Sequence, residues 1–260
     1  MKKLSLALSI MMFIGTASAE VVEDLSGWDV DGTGDWSYSS VDNSWFQNAN
    51  TSVPTILFDP ASSALGNAVS GEVTVSAGDD DMIGFVLGYK DGDNVNVDAD
   101  YWLVSWKGLA QSGWGEGLAF YHVTGALQNG ESMWNPYNHS SINEIARGNN
   151  FGNTGWDRYE TYSFDITYEH NLISLFVNEN LELSLTTGMA GVSEFKNGGF
   201  GFYAFSQPGI TYGGVVYDEI ANVVTEEQVA AAAAQVPFSG TALGSLVVFG
   251  LAFSRIRKNT

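Results

Sequence analysis

The sequence predicts an all-β protein built from two packed antiparallel sheets. Short runs rich in Val, Ile, Thr and aromatic residues alternate with turn residues, and thirty glycines permit tight turns. The segment 69–75 alternates apolar and polar residues, as a half-buried strand does. Helical periodicity is almost absent before residue 225. About a dozen short strands at this spacing favour a β-sandwich.

The predicted strands run from a tryptophan-rich hairpin at 28–45 to a closing strand at 213–224. A long irregular segment is predicted at 130–155, and long loops on β scaffolds are often functional. A tight hairpin turn is predicted at 178–180. The remaining strands are predicted at 55–58, 68–76, 82–90, 100–107, 117–124, 158–168, 172–177, 181–185 and 198–206.

The composition excludes several classes of function. The chain carries ten Lys and Arg residues against thirty Asp and Glu residues, a net charge of −20. Such a charge repels nucleic acid and anionic membranes, so we expect no nucleic-acid partner. The absence of cysteine excludes a disulfide framework, a thiolate metal site and a cysteine nucleophile. The acidic balance is compatible with cation binding and equally with solubility in a salty medium.

Residues 1–19 have the layout of a secretory signal peptide. Lys2 and Lys3 precede an apolar run at 4–14, and small residues at 17–19 form a cleavage site. A transmembrane anchor is the alternative, but the run is shorter than the roughly 20 residues that a bilayer core requires. We therefore expect the body of the protein, 20–224, to lie outside the cytoplasm.

The C-terminal segment indicates attachment to a membrane or processing there. After an alanine-rich linker at 225–241, an apolar run leads into Arg255, Arg257 and Lys258. We interpret 242–260 as a hydrophobic helix with a basic cytoplasmic tail, with a surface helix of the body as the alternative. The layout resembles bacterial C-terminal sorting signals of the PEP-CTERM type. It predicts a protein exported across the inner membrane that is extracellular or anchored at the cell surface or outer envelope.

An acidic triplet stands at the start of one apolar strand. Asp79, Asp80 and Asp81 run directly into the strand predicted at 82–90. Adjacent carboxylates repel one another, and burying one without a partner costs several kcal/mol. The triplet is therefore either a solvated turn or a site for a cation.

Three blocks of sequence connect this triplet with later strands. They are 79–89 (DDDMIGFVLGY) with 101–107 (YWLVSWK), then 154–158 (TGWDR), then 198–207 (GGFGFYAFSQ). In order and spacing they resemble the C-terminal lectin-like domain of thrombospondins and the bacterial secreted proteins that carry it. The resemblance covers 46–217.

This resemblance implies a concanavalin-like jelly-roll β-sandwich that binds Ca²⁺ through Asp79, Asp80 and Asp81. Calcium takes six to eight oxygen ligands, and adjacent carboxylates on a turn supply several. The segment 91–100 is an insertion relative to the thrombospondin pattern. It is rich in Asp and Asn and predicts a second calcium loop, although it lacks the spacing and closing Glu of an EF-hand. Its carboxylates are Asp91, Asp93, Asp98 and Asp100.

The predicted function is that of a secreted or surface-anchored, calcium-binding, lectin-like module for adhesion or for association with extracellular matrix and exopolysaccharide. The partner would be an extracellular glycan or a matrix protein, since a lectin fold does not by itself specify a sugar. Four aromatic residues in or beside the long loops are candidates for stacking on sugar rings, with burial as the alternative for each. They are Trp114, Trp134, Tyr137 and Trp156.

Two other functions stay open. A glycoside hydrolase on a jelly-roll scaffold needs two carboxylates about 5 to 10 Å apart. Glu116, Asp218 and Glu219 are available, but no Glu-x-Asp-x-x-Glu arrangement contains them, and we predict no enzymatic activity and no catalytic residue. The third function is that of a structural surface protein with no ligand beyond its metal.

Overall fold

The computed structural model describes residues 22–61 and 63–219, and it confirms an all-β chain with two antiparallel sheets. The predicted signal peptide, linker and C-terminal helix lie outside the described residues, as does the end of the last predicted strand. Within the described ranges, no helix is long and apolar enough to cross a membrane. The strands are β1 (Asp29–Asp31), β2 (Trp36–Ser39), β3 (Ser44–Gln47), β4 (Thr55–Phe58), β5 (Asn67–Val75), β6 (Met82–Tyr89), β7 (Asp100–Lys107), β8 (Gly117–Thr124), β9 (Ile142–Arg147), β10 (Thr161–Tyr168), β11 (Leu172–Val177), β12 (Asn180–Thr186), β13 (Gly199–Phe205) and β14 (Ile210–Glu219).

Three short helical segments complete the described part of the chain. A 3₁₀ turn, Leu25–Gly27, precedes β1, and a second one, Pro136–Asn138, precedes β9. One short α-helix, α1 (Thr187–Ala190), follows β12 and ends at Gly191, whose φ of 72° is left-handed. Glycine adopts this conformation without steric cost, which explains why the helix ends there.

The strands form two sheets of seven strands within the described residues. Sheet I has the order β1-β4-β13-β6-β7-β8-β9, and sheet II has the order β12-β11-β10-β5-β14-β3-β2. All of these pairs are antiparallel. The chain therefore crosses from sheet II to sheet I between β5 and β6, and this crossing contains the acidic triplet.

Aromatic side chains fill the space between the two sheets. Phe202 of sheet I stacks on Tyr212 of sheet II with ring centroids 4.2 Å apart, and Phe85 lies 4.5 Å from Phe164. Trp28 adds a ring that stacks on Phe202 at 5.2 Å. Large rings bury more apolar area than other side chains, so this cluster contributes much of the packing energy.

The outer face of sheet I is buried as well. Tyr101, Tyr203 and Phe205 lie on this face in a second apolar cluster, together with Trp114 and Met133 from the loops that flank β8. Strands covered on both faces have continuous apolar sequences rather than alternating ones. This explains why every residue of β6 is buried.

Several predicted boundaries are confirmed. The strands at 55–58, 100–107, 117–124 and 172–177 begin and end at the predicted residues. The tight turn after β11 is also confirmed, with Asn178 and Glu179 at φ values of 48° and 66°, as a type I′ hairpin requires.

Several predicted boundaries are wrong. β10 begins at Thr161, three residues after the predicted start at residue 158. The segment 130–155 is not irregular throughout, because β9 lies within it and pairs with β8. β9 is the edge strand of sheet I and is mostly half-exposed, so its sequence lacks the apolar alternation that identifies a strand. β14 begins at Ile210, before the predicted start at residue 213, because its first residues already pair with β3 and β5.

Candidate functional site

The acidic triplet forms a compact cluster of carboxylates at the crossing between the sheets. One carboxylate oxygen from each of Asp79, Asp80 and Asp81 lies within 4.8 Å of the others. Asp81 is buried, at 3% exposure, whereas Asp79 and Asp80 are half-exposed. This is the one group of three or more His, Cys, Asp or Glu side chains in 22–61 and 63–219 whose geometry could hold a metal ion.

A buried lysine enters this cluster from the end of β7. The Lys107 ammonium lies 3.0 Å from Asp80 Oδ1 and 2.9 Å from Asp81 Oδ1. It also donates to the Asp80 carbonyl at 2.6 Å and to Gln111 Oε1 at 3.3 Å. Lys107 is only 1% exposed, so its charge depends on these acceptors for the solvation that water would otherwise give.

The motifs at 154–158 and 198–207 converge on the same triplet. The Trp156 indole Nε1 donates to the Asp81 carbonyl at 3.2 Å and to the Trp106 carbonyl at 3.1 Å. Gln207 Oε1 accepts the Asp81 amide at 2.8 Å. Gly155 lies so close to Gly108 that a Cβ at residue 155 would stand 1.7 Å from the Gly108 carbonyl oxygen. The backbone around Asp81 is therefore fixed from three directions.

Asp79 forms part of the exposed side of the cluster, together with Asp80. Asp79 Oδ2 accepts the Asn50 side-chain amide at 2.6 Å, and Asn50 Oδ1 accepts the Ser206 hydroxyl at 2.9 Å. Partial burial raises the pKa of the Asp79 carboxyl, and the nearby charge of Asp81 raises it further. A positive charge placed here would relieve both effects.

The acidic residues of 91–100 are not brought together in this way. Asp93 is buried and accepts the Lys90 amide at 3.0 Å and the Asn96 side-chain amide at 3.1 Å. Asp91 and Asp98 are exposed. Asp100 belongs to β7 and pairs with His122 and Lys196. These four carboxylates form no cluster of three ligands, because local hydrogen bonds and a lysine occupy the inward-facing ones.

The four candidate aromatic residues differ in burial. Trp114 is 3% exposed and donates to the Met133 carbonyl at 2.5 Å, and Trp156 is 6% exposed. Neither of these indoles presents a face to a sugar, which corrects the expectation for both. Trp134 is half-buried against Phe205, at a centroid distance of 5.0 Å. Tyr137 is exposed, and its hydroxyl donates to Glu144 at 3.5 Å.

The acids considered for hydrolysis lie in different parts of the fold. Glu116 precedes β8 of sheet I, and its Oε1 accepts the Gly155 amide at 3.1 Å. Asp218 and Glu219 are at the end of β14 in sheet II. Glu116 thus holds the loop that carries Trp156.

The family is decided by a match over most of the described chain. The model of the thrombospondin C-terminal region matches residues 33–219. The chain belongs to this family. All three motifs that meet at the triplet fall inside the matched residues. No curated protein sequence matches the chain.

Solved structures with the same β-sandwich fold include carbohydrate-binding proteins. Carbohydrate-binding module CBM66 from Bacillus subtilis matches with a TM-score of 0.52 and 11% identity, over 74% of this chain and 95% of the module. The exoplasmic/lumenal domain of VIP36, in a Ca2+/Man2-bound form, matches with a TM-score of 0.51 and 9% identity, over 78% of this chain and 84% of that domain. At such identities the likeness to this thrombospondin C-terminal domain shows the fold alone.

The triplet of this thrombospondin C-terminal domain fits a hard divalent cation. Three carboxylates and the Lys107 ammonium leave a net charge of −2, which one divalent ion balances. Lys107 contacts only one oxygen of Asp80 and one oxygen of Asp81. All of these ligand atoms are oxygens, the type that Ca²⁺ prefers.

Sequence reasoning missed three residues of the site: Lys107, Gln207 and Asn50. Lys107 carried a signal, because it ends a strand whose alternation places it on the same face as the buried Tyr101 and Ser105. Gln207 ends the third motif, but its contact with Asp81 joins residues 126 apart in sequence. Nothing in the local pattern around Asn50 indicates its contact with Asp79.

Proposed function

We propose that this domain is a calcium-binding, lectin-like module that binds a glycan outside the cytoplasm and serves adhesion or association with extracellular matrix. The calcium part depends on one observation: the buried Lys107 leaves the triplet with a charge of −2 at the point where the three family motifs meet. A site fixed from several sides favours binding over a flexible acidic turn.

Asp79, Asp80 and Asp81 would hold the ion, and their backbone joins β5 of one sheet to β6 of the other. A bound calcium ion would neutralise the repulsion among the carboxylates and fix this crossing. The role proposed for the ion is therefore structural, and it acts on the stability of the whole sandwich.

The glycan part is supported by the family and by the fold shared with CBM66, a carbohydrate-binding module, and with the Ca2+/Man2-bound form of VIP36. We assign the sandwich to the concanavalin-like jelly rolls on the same grounds. We propose binding without catalysis, because the acids of the site contact Lys107, Asn50 and backbone amides. Export through 1–19 and membrane attachment through 242–260 stay predictions from the sequence.

Calcium titration of the full chain tests the metal site. Calorimetry should give about one ion per chain at the triplet, and Asp80→Asn should weaken this binding, with Asp29→Asn on exposed β1 as the matched control. At calcium concentrations of about 100 times Kd, the added stability is about 2.7 kcal/mol. For a domain of this size, that raises Tm by roughly 5 to 11 °C. Equal melting temperatures in calcium and in chelator would remove the metal from the proposal.

A panel of polysaccharides tests the glycan part. The full chain should bind at least one of these polysaccharides in a pull-down or retardation experiment, and the bound polysaccharide should keep its length. Release of reducing sugar would instead identify a glycoside hydrolase. Failure to bind any polysaccharide or isolated sugar, with calcium binding retained, would favour a structural surface protein.

A further inference from the structure

A cavity of about 250 Å³ lies at the other end of β7 from the triplet. Its walls come from the start of β7 and from the segment between α1 and β13. Asp100 and Lys107 are the two ends of β7, seven residue steps of about 3.3 Å apart, or roughly 23 Å. The cavity is lined by Asp100, Trp102, Val192, Ser193, Glu194 and Lys196.

The carboxylate of Asp100 is held in a fixed orientation inside this cavity. Its Oδ1 lies 2.8 Å from His122 Nε2, and its Oδ2 pairs with the Lys196 ammonium. Although partial burial disfavours the charged form, the contacts with Lys196 and His122 keep the pKa of Asp100 below its usual value. An ionised carboxylate has about four acceptor sites, and these two partners occupy two of them. Asp100 can therefore still accept hydrogen bonds from a ligand.

An aromatic stack supports the base of the cavity. The His122 ring lies 4.2 Å from the Trp102 ring at an interplanar angle of 13°. Trp102 is 2% exposed; it also stacks on Phe120 at 5.4 Å, and Phe195 meets it edge-on at 5.2 Å. Binding sites that combine an apolar wall with a few fixed polar groups suit ligands that have both kinds of surface.

The rim of the cavity carries polar groups that the protein itself does not use. Ser193 and Glu194 are exposed and make no hydrogen bond or ion pair with any other described residue. Lys196 is exposed apart from its contact with Asp100. A donor and several acceptors thus surround the apolar wall, an arrangement that matches the vicinal hydroxyl groups of a sugar ring.

Size and charge restrict the ligand. A volume of 250 Å³ equals about eight water molecules at ~30 Å³ each, which is room for one sugar ring. The two carboxylates outnumber the single lysine of the cavity, and the whole chain carries a net charge of −20. Both charges repel an acidic sugar such as a uronate.

We propose that this cavity binds one neutral sugar unit of a glycan, with Asp100 and Glu194 accepting its hydroxyl groups and the half-buried Val192 forming the apolar wall. The inference rests on the proposed lectin-like function and assigns it a site. Because the cavity is roughly 23 Å from the triplet, calcium does not coordinate the sugar. Calcium acts on glycan binding only by stabilising the fold.

The test measures binding of methyl glycosides to the full chain by saturation-transfer NMR and calorimetry. The probes are the methyl glycosides of glucose, mannose, galactose and N-acetylglucosamine, with methyl glucuronate as the acidic control. At least one neutral glycoside should bind, and the glucuronate should bind at least about tenfold more weakly. Glu194→Gln should weaken binding by about tenfold, and Asp100→Asn by at least as much. Glu160→Gln, at an exposed glutamate outside the cavity, should stay within about twofold of wild type.

The outcomes separate this inference from the proposed function. Sugar binding that is unchanged in both cavity variants would overturn the inference and leave the lectin-like function intact. Sugar binding that disappears in chelator while the protein stays folded would place the sugar on calcium and also overturn it. If no glycoside binds to wild type, the inference fails. The polysaccharide panel then decides whether the glycan part of the proposed function fails with it. Glu194 is exposed, so its variant folds even if Asp100→Asn does not.

Discussion

Replacing Lys107 with methionine tests whether this residue sets the charge of the acidic cluster. Methionine keeps most of the length of the buried side chain and removes its ammonium. Lys107 is 1% exposed and holds Asp81, whose side chain is 4% exposed. The variant therefore leaves a buried carboxylate without its positive partner. It also changes the net charge of the cluster from −2 to −3, which makes the cluster more negative.

The size of the effect follows from these contacts. Breaking a buried ion pair by removing one partner costs about 3–5 kcal/mol. At about 2–4 °C per kcal/mol for a domain of this size, the variant should melt roughly 10 °C below wild type in chelator. Calcium should bind more tightly, because the lysine no longer repels it. The gain in affinity should be at least about tenfold, since two unit charges 4 Å apart already interact by about 4 kcal/mol at an effective dielectric of 20 and about 1.4 kcal/mol corresponds to a factor of ten.

Thermal melting in calcium and in chelator, followed by circular dichroism, measures both effects. The calcium-dependent rise in Tm should be larger for Lys107→Met than for wild type. Lys90→Met, at an exposed lysine without an ion pair, should change stability by less than about 0.5 kcal/mol. The charge argument would be refuted if Lys107→Met had the Tm of wild type in chelator, or if calcium raised its Tm by no more than it raises that of wild type.

Two further predictions concern groups away from the triplet. Glu182 is 1% exposed and accepts hydrogen bonds from the backbone amides of Asn150 and Phe151 and from the Asn150 side chain. Glu182→Ala leaves these donors without an acceptor, so it should lower the free energy of unfolding, measured by urea denaturation, by about 3 kcal/mol. Glu72→Ala, at an exposed position of β5, is its control, and an equal loss in both variants would count against the role of Glu182. The folded pKa of Asp100 lies below its unfolded value of about 3.9, so its carboxylate stabilises the fold above about pH 4, and this contribution is lost as pH falls through the folded pKa. Below pH 4 the Tm of wild type should therefore fall further than the Tm of Asp100→Asn. An equal fall in Tm for the two proteins would contradict this.

Much of the fold could be predicted from the sequence because most strands have a strong local signal. β4, β7, β8 and β11 were bounded correctly, since each is a short apolar run between turn residues. The pairing order could not be predicted in the same way. In sheet I, β13 lies between β4 and β6, so its neighbours come from distant parts of the chain. β9 was missed because an edge strand needs no apolar alternation to pair on one side.

The site could be predicted from the sequence only where its ligands are neighbours in the sequence, as Asp79, Asp80 and Asp81 are. Adjacent carboxylates must either stay solvated or find a positive charge, and the structure supplies the charge of Lys107. The second acidic loop failed to cluster for a reason that composition does not reveal. Asp93 turns inward to accept local amides, and Asp100 lies on a strand that directs it toward His122. Burial of Trp114 and Trp156 follows from loops folding back over sheet I, which is a long-range event.

The two proposed sites lie at opposite ends of β7. At one end Lys107 and the triplet lie where the chain crosses between the two sheets, and an ion bound there would add stability. At the other end Asp100 lines a cavity with polar groups that the protein leaves unused. A β-strand changes little in length, so the two sites stay a fixed distance apart. Each site can therefore keep its own geometry. Calcium and glycan should therefore be coupled through the stability of the fold, and only weakly at temperatures where both forms are folded.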